Sequence, residues 1–561
     1  MNYLAEYRRW LEKVKEPELK DELEAMNATE QEDAFYRSLA FGTGGLRGTI
    51  GAGTNRMNVY MVAKASQGLS DYLRETMEMP SVVIGYDSRI KSNVFAEKAA
   101  EVFAANGICV HIWPELLPVP TVSYAVRALG ASAGVMITAS HNPSAYNGYK
   151  VYGADGCQIT TEAAAAILSK INALDIFDDI KASTFADGIE SGMIRYIDGA
   201  ILSDYIEKVK GQSVLYGDEV NRDVAIVYSP LNGTGLVPVT RVLKESGFTN
   251  ITVVDEQKNP DGQFPTCPYP NPEIREAMEL GLAYCQRTGA DLLLATDPDC
   301  DRCGIAVRTS TGEYQLLTGN EVGILLLDYI CSQRIRHGYM PVCPVFIKTI
   351  VTIDLAEKIA AHYGVETVNV LTGFKFIGEV IGKLEAQGKK DDYICGFEES
   401  YGYLTGSYVR DKDGVNAAFM ICEMFAFYKT VGVSLIRKLE EIYHDYGYCL
   451  NTLHSYEFPG SSGMTKMRSI MEEFHRGISE MAGLRIERTE DYSKGLNGLP
   501  PSDVLKFFFI GEGINGSVVI RPSGTESKLK AYISVTTDER EKAEKTEKRI
   551  CAELKTRIEG E

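Results

Sequence analysis

Asp291-Leu-Leu-Leu-Ala-Thr-Asp-Pro-Asp-Cys-Asp-Arg302 sets an apolar run directly against three carboxylates at alternate positions. The run to Thr296 reads as a buried strand and Asp297 to Arg302 as the loop that leaves it, which is where ligands bind in α/β sheets. In extended chain alternate side chains point the same way, so Asp297, Asp299 and Asp301 are expected on one side. Three like charges placed so repel one another unless a cation sits among them, and oxygen ligands at this density suit Mg²⁺. An EF-hand calcium loop needs glycine at its sixth position and glutamate at its twelfth, where this chain has Arg302 and Arg308. A solvated acidic loop is the plainer alternative, and the buried strand entering the loop weighs against it.

Outward from this point the chain alternates strand and helix. Strands are expected at Ser81–Tyr86, Ile108–Trp113 and Gly134–Thr138, with a helix from Ala96 to Asn106 closed by Gly107. The alternation returns at Asp223–Tyr228, Pro238–Glu245 and Ile251–Asp255, and again at Val345–Ile347, Ile353–Tyr363 and Thr367–Leu371. Three α/β units in series, with mixed, mostly parallel sheets, are the economical reading. The tail differs. Val504–Ile510 and Gly516–Ile520 flank Gly511-Glu-Gly-Ile-Asn515 as a hairpin, and a charged helix begins at Asp538, which suggests a smaller α+β domain. The first forty residues read as helix, with Leu4, Tyr7, Leu11 and Val14 at helical spacing, ended by a glycine-rich turn at Gly42–Gly48.

Four further loops carry polar chemistry. Thr138-Ala-Ser140-His141-Asn-Pro143 ends a strand, and an Asn147-Gly148 turn is expected to lead from it into Lys150. A serine hydroxyl is a poor nucleophile by itself and needs a base, a metal or a phosphoryl group already attached; alone, the hexapeptide could equally be a Ser/Asn/Pro turn. Arg521-Pro-Ser523-Gly524-Thr525-Glu-Ser-Lys528 combines a guanidinium, hydroxyls and free backbone N–H groups, as a phosphate dianion requires. Gly396-Phe-Glu398-Glu399-Ser400 can exchange hydrogen bonds with sugar hydroxyls. Thr372-Gly373-Phe-Lys375 opens a helix whose Phe374, Ile377, Ile381 and Leu384 form the apolar stripe, leaving Lys375 near the positive helix end.

Two other motifs are rejected by context. Gly511 to Gly516 satisfies G-x-G-x-x-G but joins two strands, whereas a dinucleotide site runs from strand into helix. Gly130 to Gly134 satisfies G-x-S-x-G but precedes a strand, and reads as a helix C-cap. With 561 residues, three to four domains are expected. A net charge of -19 opposes nonspecific nucleic-acid binding. No apolar run is long enough to span a bilayer and the N-terminus lacks a signal peptide's apolar stretch, so no membrane partner and a cytoplasmic location are expected. The twelve cysteines lack framework spacing, and Cys300-x-x-Cys303 lacks the further ligands of a zinc site.

Taken in order, Gly42-Thr-Gly-Gly-Leu-Arg47-Gly48, Thr138-Ala-Ser140-His-Asn-Pro, Asp297-Pro-Asp299-Cys-Asp301-Arg302, Gly396-Phe-Glu398-Glu-Ser400 and Arg521-Pro-Ser523-Gly-Thr525 resemble the α-D-phosphohexomutase superfamily, and most closely its phosphoglucomutase-2-like branch of phosphoglucomutases and phosphopentomutases. The resemblance spans almost the whole chain. It implies four domains around one central cleft: a phosphoserine domain over 1–205, a metal-binding domain over 206–318, a sugar-binding domain over 319–437 and a phosphate-binding domain over 438–561. Ser140 is implied as the phosphoserine, with Asp297, Asp299 and Asp301 holding Mg²⁺ together with a phosphoserine oxygen, and Arg302 beside that phosphate. His141, Lys150 and Arg47 are implied near the transfer site. Thr372, Gly373, Lys375, Glu398 and Ser400 would hold the sugar, and Arg521, Ser523, Gly524 and Thr525 the phosphate that is not reacting. Cys300 departs from the glycine or alanine common there, and its side chain is expected to point away from the carboxylates.

The activity implied is interconversion of glucose 1-phosphate and glucose 6-phosphate through a phosphoserine enzyme and glucose 1,6-bisphosphate. Pentose or mannose phosphates are the alternatives on the same scaffold. A phosphatase would release inorganic phosphate instead, and a non-catalytic sugar-phosphate sensor would not need the intact serine and aspartates.

Overall fold

Leu292–Thr296 is a strand with every residue buried, and it sits third in a five-stranded sheet. In the computed structural model, residues 2–41, 44–458, 460–523 and 528–560 are described. They form four sheets, and the chain divides into two compact units. One comprises Met1–Leu317, Phe374–Tyr393 and Ser400–Phe427; the other comprises Thr318–Gly373, Ile394–Glu399 and Tyr428–Glu561.

The first sheet contains β1 (Leu46–Thr49), β2 (Ser81–Tyr86), β3 (Cys109–Ile112), β4 (Ala133–Ile137), β5 (Tyr146–Gly153) and β6 (Ile194–Tyr196), in the order β1-β5-β4-β2-β3-β6. Its four-strand centre and edge β4-β2-β3-β6 is parallel, linked by helices such as Ser92–Ala105 and Val119–Leu129, and β5 returns antiparallel to β4 and β1. The second sheet contains β7 (Ile226–Ser229), β8 (Ile251–Val253), β9 (Leu292–Thr296), β10 (Cys303–Arg308) and β11 (Tyr314–Leu317), in the order β11-β10-β9-β7-β8. The sheet is mixed, as expected: β7, β8 and β9 are parallel, and β10 alone is reversed, running antiparallel to both β9 and β11. The acid loop is the cause: residues 297–302 join β9 to β10 as neighbours, and a parallel return would need a crossover of a dozen residues or more.

In the second unit β12 (Val345–Thr349) runs parallel to β13 (Glu366–Val370), and β14 (Tyr393–Glu398) lies on the other side of β12. The strand β15 (Gly402–Thr405) follows in the chain. The fourth sheet is antiparallel throughout and has the order β16-β21-β20-β19-β18-β17, from β16 (Tyr448–Glu457), β17 (Glu480–Met481), β18 (Leu484–Asp491), β19 (Leu505–Gly511), β20 (Ile514–Pro522) and β21 (Lys528–Thr537). Helix Arg540–Glu559 buries Ala543, Ile550, Leu554 and Ile558 in the core of this sheet. The G-x-G-x-x-G run is the hairpin between β19 and β20, as its flanking strands required.

At the N-terminus the expected single helical segment is three helices, Tyr3–Lys13, Pro17–Ala25 and Ala28–Phe35. Pro17 cannot continue a helix but can open one, and Asn27 with Glu30 makes a capping box. The glycine-rich turn is shorter than expected, since Leu46, Arg47 and Gly48 already belong to β1. A second correction concerns Asn147-Gly148, which is no turn: both residues lie inside β5. Glycine is needed there because a Cβ at 148 would lie 2.5 Å from the Thr138 oxygen and 2.7 Å from the Leu46 oxygen.

Within the second unit an ion cluster joins the third and fourth sheets. Lys506 Nζ on β19 lies 2.7 Å from Asp354 Oδ1, the fully buried Lys348 Nζ on β12 lies 3.6 Å from it, and Ser517 Oγ donates to Asp354 Oδ2 at 2.6 Å. Burial disfavours the charged carboxyl, yet the two ammonium groups outweigh it and hold Asp354 down at about 2. Since the unfolded value is about 3.9, this stabilisation is complete above that pH and is lost as pH falls toward 2. Asp354→Ala leaves two buried lysines without this partner and is expected to destabilise the unit by about 3 to 5 kcal/mol, read from the urea midpoint of the fourth sheet's transition.

Candidate active site

The acid loop sits at the end of β9 and is held by its own backbone. Thr234 N donates to the Pro298 oxygen at 2.9 Å, Val119 N to the Asp299 oxygen at 2.9 Å and Gly414 N to the Cys300 oxygen at 3.0 Å. Asp297 Oδ1 accepts from the N–H groups of Asp301 at 3.1 Å and Arg302 at 3.0 Å. The loop is therefore a tight turn and not the extended chain that alternation assumed; Cys300 has a φ of +51°, in the left-handed region. Convergence of the three carboxylates survives the change of cause. Their oxygens lie within 4.8 Å of one another, and all three side chains are buried. Cys300 is buried too, with its sulfur directed toward Gly235.

Opposite this loop, Ser140 stands at the end of β4 with a φ of +52°. Its Oγ donates to Asp297 Oδ2 at 2.7 Å, His141 Nδ1 lies 3.2 Å away, and its backbone N–H donates to Thr138 Oγ1 at 2.8 Å. Lys150, facing out of β5, places Nζ 2.8 Å from Asp299 Oδ2 and 3.4 Å from Asp301 Oδ2. Arg47 Nη1 donates to Asn142 Oδ1 at 3.1 Å. Arg302 forms an ion pair with Glu273.

Charge in this centre is unbalanced in an informative way. Burial, with Asp299 and Asp301 beside it, pushes the Asp297 carboxyl well above the usual range. At Asp301 burial acts in the same sense, but Lys412, Lys150 and Arg302 outweigh it and hold that carboxyl low. Burial lowers Lys150, and Asp299 and Asp301 more than restore it, so the ammonium persists. Burial, then Arg302 and Arg47, push the His141 imidazole well below its usual value, leaving it neutral at pH 7. Asp299 Oδ1 and Asp301 Oδ1 are buried without a hydrogen-bond partner. Buried carboxylate oxygens left so are costly, and a divalent cation held by Asp297, Asp299 and Asp301 supplies what they lack. The residues present therefore fit a hard metal ion.

Two participants were missed by sequence reasoning. Lys412 Nζ lies 3.0 Å from Asp301 Oδ2. Its signal was four charges in succession, Arg410-Asp-Lys-Asp413, just before a buried helix. Arg89 is the other. Its buried guanidinium donates to the Pro143 oxygen at 2.9 Å and the Tyr146 oxygen at 3.1 Å, and to the oxygens of Ser140 and Asn142. Asp87 Oδ1 accepts from Arg89 N at 2.9 Å and from Ser92 Oγ at 2.7 Å, fixing the turn that presents Arg89. One guanidinium thus holds the serine loop, including the left-handed Ser140, through four carbonyl groups. The signal for it was a charged pair directly after the buried strand Ser81–Tyr86. Arg89→Met is expected to lower kcat roughly 10²-fold with KM changed much less, because the loop loses its geometry and not its substrate contacts; steady-state kinetics checks this.

The remaining candidates are distributed between the units. Lys375, in the first, lies in the opening turn of helix Phe374–Ala386, where Phe374, Ile377 and Ile381 are buried as the stripe required and Leu384 is half-buried. Burial lowers its pKa. Ser400 also belongs to the first unit and is half-buried. In the second unit, Gly373 N donates to Glu398 Oε1 at 3.0 Å, and the Thr372 hydroxyl is buried without a partner. Glu399 Oε2 accepts from Thr352 Oγ1 at 3.3 Å. Burial raises the Tyr532 hydroxyl, with Glu399 and Glu398 acting in the same sense and Arg521 against them, so the Glu398 loop and the Arg521 loop share one neighbourhood. Ser523 N donates to the Lys528 oxygen at 2.7 Å. Gly524 and Thr525, like Gly42 and Thr43 of the first motif, lie outside the described residues.

Three α/β domains and an α+β domain, with a serine loop and an acid loop meeting at strand ends, define an enzyme of the phosphohexomutase class. Comparison with known families makes this specific. The chain matches phosphoglucomutase/phosphomannomutase alpha/beta/alpha domain I over residues 38–176, domain II over 203–312, domain III over 318–446 and the C-terminal domain over 501–551. It belongs to the phosphoglucomutase/phosphomannomutase family, within the α-D-phosphohexomutase superfamily. A phosphoglucomutase from Staphylococcus saprophyticus is 36% identical over 543 residues, covering 94% of this chain and 96% of that one. A phosphoglucomutase from Staphylococcus aureus is 34% identical over 541 residues, covering 94% and 95%. The open form of Paramecium parafusin, described as a phosphoglucomutase, shares the fold with a TM-score of 0.68 at 17% identity, over 93% of this chain and 95% of that one. Among the described residues, no single helix is long and apolar enough to cross a membrane.

Proposed function

We propose that this chain is a phosphoglucomutase: it interconverts α-D-glucose 1-phosphate and glucose 6-phosphate with Ser140 as phosphoryl carrier, Mg²⁺ as metal and glucose 1,6-bisphosphate as intermediate and activator. The observation that carries the reading is the contact of Ser140 Oγ with Asp297, in a buried carboxylate cluster with two oxygens that accept no hydrogen bond. Glucose as the sugar is supported by the phosphoglucomutase relatives at 34% to 36% identity over nearly the whole chain.

Mg²⁺ on Asp297, Asp299 and Asp301 with a phosphoserine oxygen would withdraw charge from the phosphoryl group. This chain's residues do the rest. Arg89 and the Thr138 hydroxyl hold the serine loop. Phospho-Ser140 passes its phosphoryl to a free hydroxyl of the bound sugar phosphate: the seryl O–P bond breaks, the sugar O–P bond forms, the hydroxyl proton leaves to a nearby base, and the freed seryl oxygen takes up a proton. His141, neutral and 3.2 Å from Ser140 Oγ, is placed to accept it, and Lys150 and Lys412 hold positive charge beside the transferring oxygens. The bisphosphate then returns its other phosphoryl to Ser140 by the same steps reversed. In this reading Thr372, Gly373, Lys375, Glu398 and Ser400 bind sugar, and Arg521, Ser523, Gly524 and Thr525 bind the phosphate at rest, with Arg47 and Arg302 facing the one that moves. The cytoplasm is the proposed place of work, consistent with twelve free cysteines.

Parallel assays with α-glucose 1-phosphate, mannose 1-phosphate and ribose 1-phosphate test the substrate. The glucose ester is expected to give the highest kcat/KM. A dominant pentose rate contradicts the assignment, and release of inorganic phosphate without isomer formation contradicts the mutase itself.

A further inference from the structure

The helix-covered face of the fourth sheet carries a second cluster of ligating side chains. His454 and Tyr456 lie two residues apart on β16 and leave the same face of the strand. Glu547 and Cys551 lie four apart on helix Arg540–Glu559 and share a helix face. His454 Nε2 is 2.7 Å from Glu547 Oε1, and His454 Nδ1 is 3.5 Å from Cys551 Sγ. Thr452 Oγ1 donates to the same carboxylate oxygen at 2.8 Å.

The chemistry of these contacts is directional. A carboxylate only accepts, so Nε2 carries the hydrogen, and in the neutral ring Nδ1 turns its lone pair toward the sulfur. An imidazole with a carboxylate behind it is how metal-binding histidines are usually oriented and made more basic. Two ligands of one tetrahedral zinc, at bond lengths of about 2.05 Å to nitrogen and about 2.3 Å to sulfur, stand about 3.6 Å apart. The separation here is 3.5 Å. The Tyr456 hydroxyl, on a residue only 8% exposed, faces the same sulfur.

We propose that His454 Nδ1 and Cys551 Sγ, with Glu547 holding the far side of the imidazole, bind one borderline-soft divalent cation of the zinc class. The sulfur and nitrogen donors separate this site chemically from the all-oxygen cluster of Asp297, Asp299 and Asp301. Binding replaces the thiol proton, which goes to solvent, and ties β16 to the C-terminal helix.

Co²⁺ titrated into the full-length protein in excess Mg²⁺ tests the site, with Zn²⁺ as competitor. The wild type is expected to develop a sulfur-to-cobalt charge-transfer band that saturates at one equivalent and is displaced by Zn²⁺. Cys551→Ser abolishes the band, His454→Gln weakens Co²⁺ binding by about tenfold or more, and both keep wild-type mutase turnover. Absence of the band in the wild type overturns the proposal, as does an undiminished band in Cys551→Ser or undiminished affinity in His454→Gln.

Discussion

Ser140→Ala is expected to reduce mutase turnover by roughly 10⁴-fold or more while leaving the fold intact, since removing a nucleophile takes away the covalent route itself. The substitution deletes one oxygen from a buried side chain, and it spares the backbone contacts that hold the loop, namely the N–H of residue 140 to Thr138 Oγ1 and its carbonyl to Arg89. Substrate binding is carried in this account by other loops, so KM changes little beside kcat. Steady-state assays with glucose 1-phosphate and glucose 1,6-bisphosphate, beside an unchanged thermal transition, check both halves. A variant that keeps wild-type turnover removes Ser140 from the mechanism.

The second large effect belongs to the acid loop. Asp299→Asn keeps the shape of the side chain and its room between Thr138 and Lys150, but removes the acidic group of one of three clustered buried carboxyls. Lys150 loses a counter-charge at 2.8 Å, and the proposed metal loses a ligand. Charge withdrawal by such a metal is worth several kcal/mol in phosphoryl transfer, so kcat/KM is expected to fall roughly 10³-fold. Raising Mg²⁺ restores only part of it, because Lys150 remains unbalanced. Activity measured across a Mg²⁺ series separates the two contributions: the half-saturating concentration rises, and the plateau stays low.

Much of this centre was legible in the sequence because both of its loops end buried strands. Leu292–Thr296 and Ala133–Ile137 are buried throughout and almost wholly apolar, so polar residues just beyond them stand out. What escaped notice depends on contacts far along the chain. Arg89 is one charge in an ordinary loop until folding brings the carbonyl groups of residues 140 to 146 around it. Lys412 meets Asp301 only after more than a hundred intervening residues have folded. Local rules also gave the wrong local answers in two places. Asn147-Gly148 has the composition of a hairpin turn, but the glycine serves the close approach of neighbouring strands to β5. Alternation along an extended chain pointed to the right three carboxylates for the wrong reason, since Asp297 folds the loop back on itself. The one reversed strand of the second sheet, β10, follows from the shortness of that same loop.

Ser140 as a resting phosphoryl carrier is the centre of the account, and phosphopeptide mapping of the purified full-length protein before and after one turnover tests it most directly. The protein is expected to carry a single phosphate on Ser140, to lose it to unlabelled glucose 1-phosphate as the bisphosphate forms, and to regain it when bisphosphate is supplied. A protein that turns over at full rate with no phosphate on Ser140 at any stage, or with the label on another residue, contradicts it.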